Sequence, residues 1–287
     1  MPGVTRVPLS VRRLCPAVSR SRSRGSSKLT DAPDLPGAFL ERPIAHRALH
    51  SAAGGVAENS MAAIEAALGA GYGIEVDLQL SADGEAMVFH DDDLKRLTGH
   101  KGAVRARTAD ELAALPLKAG GGTIPRLSDL LDRVNGHVPL LIEIKDQTGQ
   151  LGPAVGPLEE RTCALLKHYD GPVALMSFNP HSVARCAEFA PAIPRGLVTC
   201  RFGRRDFLKV PMARLRELQP LPDVDRVGAA FVSHDRRDLS NPALAPLKAR
   251  GMPLLCWTVR SAAEEAAARQ VADNITFEGY RPEPPAA

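Results

Sequence analysis

The feature that most constrains the fold is an alternation of short apolar runs with helix-forming stretches, continuing from residue 43 to near the C-terminus. Many of the runs are rich in Val, Ile, Leu or Phe and are bounded by Gly or Pro, as buried strands are. We therefore predict strands at residues 44–45, 73–80, 87–89, 139–144, 173–178, 196–199, 229–233, 254–259 and 274–277. Strand–helix alternation over about 240 residues in one unbroken domain predicts an α/β fold of the TIM (β/α)8 barrel type.

Capping residues mark several helix boundaries between these runs. Ser60 precedes an alanine-rich stretch that stops at Gly71, which predicts a helix with a serine N-cap and a glycine C-cap. Thr108 and Ser261 are each followed three residues later by Glu, the spacing of a capping box. No G-x-G-x-x-G or Walker sequence follows a predicted strand, which disfavours a nucleotide-binding sheet.

One link breaks the alternation and predicts a hairpin. Only six residues separate the second run from the third, whereas a parallel crossover needs about a dozen or more. We interpret Asp83-Gly84 as a hairpin-type turn, which would place Asp77 roughly opposite His90. The segment between His90 and residue 139 is predicted to form a small helical insertion after the third strand.

The N-terminal segment differs in composition from the rest of the chain. Residues 1–38 are rich in Arg, Ser, Pro and Gly, and residues 1–30 hold seven basic residues and no acidic one. We expect a disordered basic extension at residues 1–38 and a barrel domain at residues 39–287. The expected location is the cytoplasm, with an organellar targeting segment as the alternative reading of the extension.

Charge and cysteine content narrow the class of protein. The chain carries 36 Lys and Arg against 33 Asp and Glu, and residues 31–287 alone carry 29 against 33. Such a mildly acidic body is not expected to bind nucleic acid in general. The five cysteines form no C-x-x-C pair, which predicts reduced thiols. Stable membrane insertion is not expected, because no run of about 18 apolar residues exists; the oligomeric state is left open.

Charged side chains interrupt four of the runs, where a barrel strand should be apolar. They are His46 and Arg47, Glu75 and Asp77, His90, and Glu143 and Lys145. Glu75 and Asp77 share one face of a strand because they are two residues apart. Buried carboxylates are costly unless they are paired or bound to a cation, and three on neighbouring strands repel one another. A divalent cation, Mg²⁺ or Ca²⁺, would resolve this repulsion, because both ions take oxygen ligands.

The charges of this set match a phosphodiester anion. Three carboxylates, one divalent cation, Arg47 and Lys145 leave a single positive charge, which one phosphodiester would neutralise. Arg47 offers a planar fork for phosphate oxygens, and Lys145 offers a point charge. His46 and His90 could serve as general base and general acid. Taken singly, each group keeps a purely structural reading, such as a core histidine or an ion pair.

Nine segments in this order resemble the glycerophosphodiester phosphodiesterase family. They stand as IAHR at 44–47, EN at 58–59, GIEVD at 73–77, DG at 83–84, VFHD at 88–91, IPRL at 124–127, IEIK at 142–145, SF at 177–178 and WTV at 257–259. The resemblance implies a TIM barrel of the phosphodiesterase type. It also implies metal-dependent hydrolysis of glycerophosphodiesters, such as glycerophosphocholine or glycerophosphoethanolamine, to glycerol 3-phosphate and an alcohol.

The resemblance implies a role for each matching residue. His46 and His90 take the acid–base roles, and the metal ligands are Glu75, Asp77 and Glu143. Arg47 and Lys145 contact the phosphate, with Lys145 also a charge partner of the metal site. Phe178 and Trp257 would wall the glycerol pocket, although Phe178 reads almost as well as barrel core. The supporting positions are Glu58, which would orient Arg47 or another basic group, and Asn59.

Three positions depart from the family pattern. Ala48 replaces a glycine after His-Arg, which costs little unless the backbone there needs a positive φ. Ala57 replaces a proline before Glu-Asn. The late Thr-Asp of the family is Thr276-Phe277-Glu278 here, which leaves a role for an acid at that position in doubt.

Two alternative functions remain open. A barrel of the same type could cleave lysophospholipids or phosphoinositides, but only 4% of residues are aromatic and no membrane-docking segment is apparent, which favours a deacylated diester. A non-catalytic phosphodiester-binding module is the other alternative. The basic stretch 201–205 could contact an anionic substrate tail, although we interpret it as a solvated loop.

Overall fold

Eight parallel strands close into a barrel in the computed structural model, which describes residue 3 and residues 33–283. The strands, with one antiparallel addition, are β1 (Ile44–Ala45), β2 (Gly73–Leu80), β3 (Ala86–Val88), β4 (Leu140–Ile144), β5 (Val173–Ser177), β6 (Arg195–Thr199), β7 (Phe231–Asp235), β8 (Leu254–Val259) and β9 (Asn274–Phe277). They pair in the order β1-β9-β8-β7-β6-β5-β4-β2, and β1 pairs with β2 to complete the ring. The predicted TIM (β/α)8 barrel is therefore confirmed.

Helices follow most strands and cover the outside of the barrel. They are α1 (Ala38–Glu41), α2 (Met61–Ala70), α3 (Lys95–Thr98), α4 (Ala109–Ala113), α5 (Leu127–Val134), α6 (Pro157–Leu166), α7 (Pro180–Phe189), α8 (Met212–Leu218), α9 (Asp223–Arg226), α10 (Leu244–Ala249) and α11 (Ala262–Ala268), with 3₁₀ turns at Ala52–Gly54, Val104–Ala106 and Arg236–Asp238. An apolar layer of strand and helix side chains, such as Ile64, Ile142 and Val232, lies between the two shells.

Two of the three predicted helix caps are present in full, and the third is present in part. Ser60 accepts a hydrogen bond from the N–H of Ala63, and α2 ends at the left-handed Gly71. Thr108 and Glu111 form the complete capping box of α4. Ser261 also caps its helix, but the Glu264 carboxylate accepts from the N–H of Arg260 instead of Ser261.

The predicted hairpin is present between β2 and β3. The two strands are antiparallel, and Gly84 at the turn has φ +88°, a conformation that favours glycine. Asp77 lies opposite Phe89, whose N–H donates to the Asp77 carbonyl at 2.9 Å, one residue from the predicted partner His90. The following segment contains α3, a 3₁₀ turn and α4, and has its own apolar cluster that includes Leu94, Val104 and Leu112.

Apolar side chains also fill the lower part of the barrel interior. The cluster contains Leu35, Phe39, Ile44, Leu141, Ala174, Met176, Val198, Phe231 and Leu255. Gly196 on β6 permits this packing, because a Cβ there would lie 2.5 Å from the Phe231 ring. The core therefore closes one end of the barrel, and Met176 and Val198 form its boundary with the cavity described below.

Part of the sequence-based prediction concerns residues outside the described ranges. Most of the predicted extension at residues 1–38, including Cys15, lies outside the described residues, and the domain boundary at residue 39 stays a prediction. Cys163, Cys186, Cys200 and Cys256 are buried free thiols. Within residues 33–283, every helix is too short or too polar to traverse a lipid bilayer.

Candidate active site

Three buried carboxylates meet on the neighbouring strands β2 and β4. Glu75, Asp77 and Glu143 each offer an oxygen within 4.8 Å of the other two. Parallel pairing sets Asp77 directly beside Glu143, and the two-residue repeat of a strand points Glu75 to the same face as Asp77. A divalent cation could be held here, because three carboxylate oxygens are the donors that hard cations prefer.

The electrostatics of this group favour a cation. Burial and the charges of Asp77 and Glu143 raise the pKa of Glu75 well above its usual range. Burial also acts to raise the pKa of Asp77, but Lys145, His90 and Arg47 outweigh it and hold that pKa far below the usual range. The site therefore has more negative charge than its own cations neutralise, and the donor set fits a metal ion.

Lys145 is the ammonium group nearest to this triad. Its Nζ lies 2.7 Å from an oxygen of Asp77 and 2.7 Å from an oxygen of Glu143. Burial acts to lower the pKa of Lys145, but the two carboxylates outweigh it and raise the pKa above its usual value. Lys145 is therefore charged and compensates part of the triad's negative charge.

A left-handed turn after β1 aims Arg47 at the same carboxylates. Arg47 has φ +52° and Ala48 has φ +61°. The Arg47 N–H donates to the Glu75 carboxylate at 2.8 Å, its guanidinium donates to Glu58 at 2.7 Å, and its Nε lies 3.5 Å from Asp77. The family's glycine at position 48 thus corresponds to a positive φ, a conformation that costs an alanine about 1 kcal/mol or more.

The start of α2 supports the triad from the other side. Asn59, which is buried and has φ +57°, donates from its side-chain amide to Asp77 at 2.9 Å. Glu58 accepts hydrogen bonds from both Arg47 and Arg96. Arg96 belongs to α3 in the insertion, so the insertion contributes directly to the frame of the site.

His46 is held by an acidic residue that follows β9. Its Nδ1 lies 2.6 Å from the carboxylate of Glu278, and His50 Nε2 lies 3.7 Å from the same oxygen. Burial lowers the pKa of His46, although the hydrogen bond with Glu278 acts in the opposite direction. Burial acts to raise the pKa of Glu278, but the contacts with the two histidines and with Arg260 outweigh it and lower that pKa, so the carboxylate is ionised.

His90 has a similar arrangement on the other side. Its Nδ1 lies 2.7 Å from the carboxylate of Asp91, which Arg96 also contacts with two nitrogens. Burial acts to raise the pKa of Asp91, but the hydrogen bonds with His90 and Arg96 outweigh it and lower that pKa. Each histidine therefore has its Nδ1 committed to a carboxylate, which leaves Nε2 as the nitrogen that can exchange protons.

A cavity of about 170 Å³ joins these groups. Its polar lining includes His46, Arg47, Glu75, His90, Glu143 and Lys145, and its apolar wall is Met176, Phe178, Val198 and Trp257. The Phe178 and Trp257 rings pack edge to face, with centroids 5.5 Å apart. Cavities of about 360 and 430 Å³ also exist, but neither contains the triad or the histidine pair.

All predicted site residues thus lie together. Eight of them line the cavity. The other three contact lining residues directly: Asp77 contacts Lys145, and Glu58 and Asn59 contact Arg47. Sequence reasoning missed Glu278 and Arg96, and also Ser233 and Thr276, whose buried hydroxyls line the cavity. Glu278 had a signal, because it follows the last predicted strand as Arg47 follows the first.

Comparison with known proteins identifies a family. The model described as the glycerophosphoryl diester phosphodiesterase family matches residues 46–274 of this chain. That range includes every predicted site residue and covers well over half of the chain.

Individual proteins agree with this match. YhdW of Bacillus subtilis, provisionally named a glycerophosphodiester phosphodiesterase, is 29% identical over 227 residues, which cover 76% of this chain and 86% of YhdW. The glycerophosphodiester phosphodiesterase of Bacillus altitudinis is 32% identical over 169 residues, which cover 56% of this chain and 67% of the relative. A phosphodiesterase of Oleispira antarctica, solved in complex with the product sn-glycerol-3-phosphate, shares the fold with a TM-score of 0.65 and 24% identity, covering 84% of this chain and 94% of that one.

Proposed function

Because the chain belongs to the glycerophosphoryl diester phosphodiesterase family and is a phosphoric diester hydrolase, we propose that it hydrolyses glycerophosphodiesters to glycerol 3-phosphate and an alcohol. The proposed catalytic residues are His46 and His90, and the proposed cofactor is a divalent cation, Mg²⁺ or Ca²⁺, held by Glu75, Asp77 and Glu143. Glycerophosphocholine and glycerophosphoethanolamine are the proposed substrates.

The observation that carries the proposal is the placement of two histidines and an acidic triad around one cavity. Neither set alone specifies phosphodiester chemistry. A cation beside two fixed positive charges favours an anionic substrate, and two imidazoles supply the proton transfers that hydrolysis of a diester needs.

Arg47 and Lys145 are proposed to bind the phosphoryl oxygens. Arg47 Nε has no hydrogen-bond partner among the described residues, so the side chain retains donor capacity while Glu58 holds its other end. A bound divalent cation would stabilise negative charge on the same oxygens, which is usually a large contribution to catalysis.

Ser233 and Thr276 are proposed to recognise the glycerol hydroxyls. Both side chains are buried, both line the cavity, and neither hydroxyl has a hydrogen-bond partner among residues 33–283. A buried polar group without a partner is unfavourable. The hydroxyl groups of a glycerol moiety would supply the partners, while Phe178 and Trp257 cover its carbon atoms.

His46 is proposed as the general base and His90 as the general acid. The buried environment lowers the pKa of His46 and favours its neutral form. His46 would take a proton from the nucleophile, either water or the neighbouring glycerol hydroxyl, and His90 would protonate the departing alkoxide. With water as the nucleophile, one proton leaves the nucleophile and one reaches the leaving group, and glycerol 3-phosphate is the product. With the glycerol hydroxyl, a cyclic phosphate forms first, and water then opens it while the two histidines exchange roles.

A substrate panel tests the proposal. Release of the head-group alcohol is measured from glycerophosphocholine, glycerophosphoethanolamine, glycerophosphoinositol and a lysophospholipid, each with Mg²⁺, Ca²⁺ or chelator. We expect metal-dependent turnover of the deacylated diesters, and His46→Ala and His90→Ala should each lower kcat by about 10²–10⁴-fold. Preferred turnover of the lysophospholipid would assign the lipid-cleaving alternative, and binding without turnover would assign a non-catalytic module.

A further inference from the structure

Residues 200–211 connect β6 to α8 and lie beside the cavity of the candidate active site. We refer to this connection as the β6–α8 loop. It leaves the barrel at the C-terminal end of β6, the end at which such barrels carry their active sites. Lys209 ties it to the segment after β3 through Asp92, at 3.0 Å. Its Phe207 ring packs on Phe178 of the cavity wall, with centroids 5.6 Å apart.

The loop and the first residue of α8 expose large apolar side chains. Leu208 is 72% exposed and Met212 is 42% exposed, and among the residues that the structure describes these are the two exposed large hydrophobics. Single exposed apolar residues are common on protein surfaces. One in this loop and one at the residue that follows it, with no other large exposed hydrophobic residue in the described chain, indicate a surface that contacts an apolar partner.

The same loop is rich in basic residues, although the chain body as a whole is mildly acidic. Residues 201–209 contain four basic residues and one acidic residue, whereas residues 31–287 as a whole carry 29 basic and 33 acidic residues. All four of these basic side chains are exposed: Arg201, Arg204, Arg205 and Lys209. Lys209 is paired with Asp92, so the three arginines of the loop are the cations that complement an anionic surface on a chain body that is otherwise net negative.

An aromatic base supports the exposed tip. The rings of Phe202 and Phe207 lie 5.5 Å apart, Phe207 packs on Phe178, and Phe178 packs on Trp257. The loop is therefore fixed to the cavity wall by ring contacts. The aromatic contacts therefore extend from the cavity wall to Phe207, the residue before Leu208.

We propose that the β6–α8 loop docks on an anionic lipid bilayer, with Leu208 and Met212 entering the boundary of the acyl chains and the basic side chains contacting the head groups. Peripheral binding of this kind combines buried apolar area with attraction to anionic lipids. It goes beyond the proposed hydrolysis, because it states where the enzyme works and holds for any phosphodiester substrate.

The charge of the loop favours a lipid bilayer over a second copy of the chain as its partner. A symmetric contact through the loop would bring the arginines of one copy against the arginines of the other, and like charges at an interface are unfavourable. A bilayer rich in anionic lipid instead presents negative charge to every basic side chain and an apolar layer below it. The mixture of three arginines and two exposed apolar residues therefore fits a lipid surface.

Vesicle sedimentation with the full chain tests the proposal. Vesicles of pure phosphatidylcholine are compared with vesicles that contain phosphatidylglycerol, at low and high salt. We expect binding to the anionic vesicles that weakens with salt. Arg205→Glu should weaken it about fivefold or more, the factor expected for each basic residue near an anionic surface, and Leu208→Ser should weaken it about tenfold.

Matched variants separate the loop from the rest of the chain. Lys167→Glu makes the same charge change on an exposed residue at the end of α6, on the other end of the barrel, and should leave binding unchanged. Residues 1–30 carry seven basic residues and could bind anionic vesicles by themselves. Such binding would not respond to Leu208→Ser, whereas docking through the loop must respond.

Leu208→Trp provides a direct readout of insertion. The chain has one natural tryptophan, Trp257, so the difference between this variant and the unaltered chain reports the loop. We expect a blue-shifted emission and quenching by brominated lipids. The proposal is overturned if Arg205→Glu and Lys167→Glu lose binding equally, if Leu208→Ser binds like the unaltered chain, or if Leu208→Ser dissociates a dimer without changing vesicle binding.

Discussion

Glu278 Oε2 lies 2.6 Å from Nδ1 of His46, so an ionised carboxylate fixes the orientation of a proposed catalytic imidazole. The His46 N–H donates to it, which places the lone pair of the neutral ring on Nε2. The carboxylate also contacts His50 and Arg260 and is thereby held in place on both sides.

Glu278→Gln should lower kcat by at least about tenfold, because an amide can stabilise the wrong tautomer of the imidazole. The hydrogen bond to Glu278 raises the pKa of His46, so its loss should lower that pKa further. With His46 as the base, the acidic limb of the pH–rate profile should therefore move to lower pH. Steady-state kinetics across pH measure both effects.

Glu188→Gln is the control for this substitution, since Glu188 is an exposed residue of α7 paired with Arg185. It should leave the profile unchanged. An unaltered pH profile and kcat in Glu278→Gln would show that the carboxylate has only a structural role.

Glu75→Gln should change thermal stability in opposite directions with and without metal. Without metal, burial and the negative charges of Asp77 and Glu143 disfavour the ionised form of Glu75. The variant does not carry this cost, so it should melt at a higher temperature in chelator. With saturating cation the unaltered chain should gain about 2.7 kcal/mol at a metal concentration of 100 times Kd, and the variant should lose most of this gain. Differential scanning calorimetry compares the two, with the exposed Glu160→Gln as the matched control.

Ser233→Ala and Thr276→Val should affect only substrates that carry glycerol hydroxyls. With glycerophosphocholine, kcat/KM should fall by about 5- to 30-fold, the loss expected for one or two hydrogen bonds. With bis(p-nitrophenyl) phosphate, which has no glycerol, it should stay unchanged. Equal losses on both substrates would indicate a damaged barrel and remove the recognition role.

Gly196→Ala should destabilise the fold without touching a site residue. The added methyl group would lie 2.5 Å from the Phe231 ring inside the barrel, and overpacking of this kind costs about 1–3 kcal/mol. Gly69→Ala adds the same methyl group in α2 where no atom lies within 4 Å, and it should stabilise by about 1 kcal/mol. Chemical denaturation gives the two free energies of unfolding, and equal signs would contradict the packing argument.

Asp91→Asn should reduce the dependence of the free energy of unfolding on pH in the acidic range. The pKa of Asp91 is lower in the folded chain than in the unfolded chain, so its contribution is complete above about pH 4 and is lost as pH falls. We expect the variant to lose about 1–2 kcal/mol at neutral pH and to lose less on acidification. Urea unfolding from pH 7 to pH 3 measures the slopes, with the exposed Asp132→Asn as the control.

Sequence patterns predicted the barrel well because its signals are local. The run from Gly73 to Leu80 was placed to the residue, since Gly and Ser bound it and apolar side chains fill it. The run predicted at 229–233 begins two residues later, at Phe231, because Ala229 belongs to the connection that follows α9. Such shifts arise where small apolar residues fit a turn as well as a strand.

The residues of the site could be predicted from the sequence, but the hydrogen bonds and ion pairs that hold them in place could be predicted only in part. Glu75, Asp77 and Glu143 stand out because charge inside an apolar run has few structural explanations. Arg96 gives no such signal, since an arginine in a short polar helix is ordinary, and its bonds to Glu58 and Asp91 depend on how the insertion folds back. The role of Glu278 likewise depends on ring closure, which brings β9 beside β1.

The ammonium group of Lys145 between Asp77 and Glu143 has a consequence for how the protein matures. Its charge offsets part of the negative charge of the two carboxylates, so we expect the barrel to fold without the proposed cation. The affinity measured for an added cation then compares a triad neutralised in part by Lys145 alone with a triad neutralised by Lys145 and the cation. Shortening or removing that side chain should leave a nascent chain more dependent on the ionic composition of its surroundings.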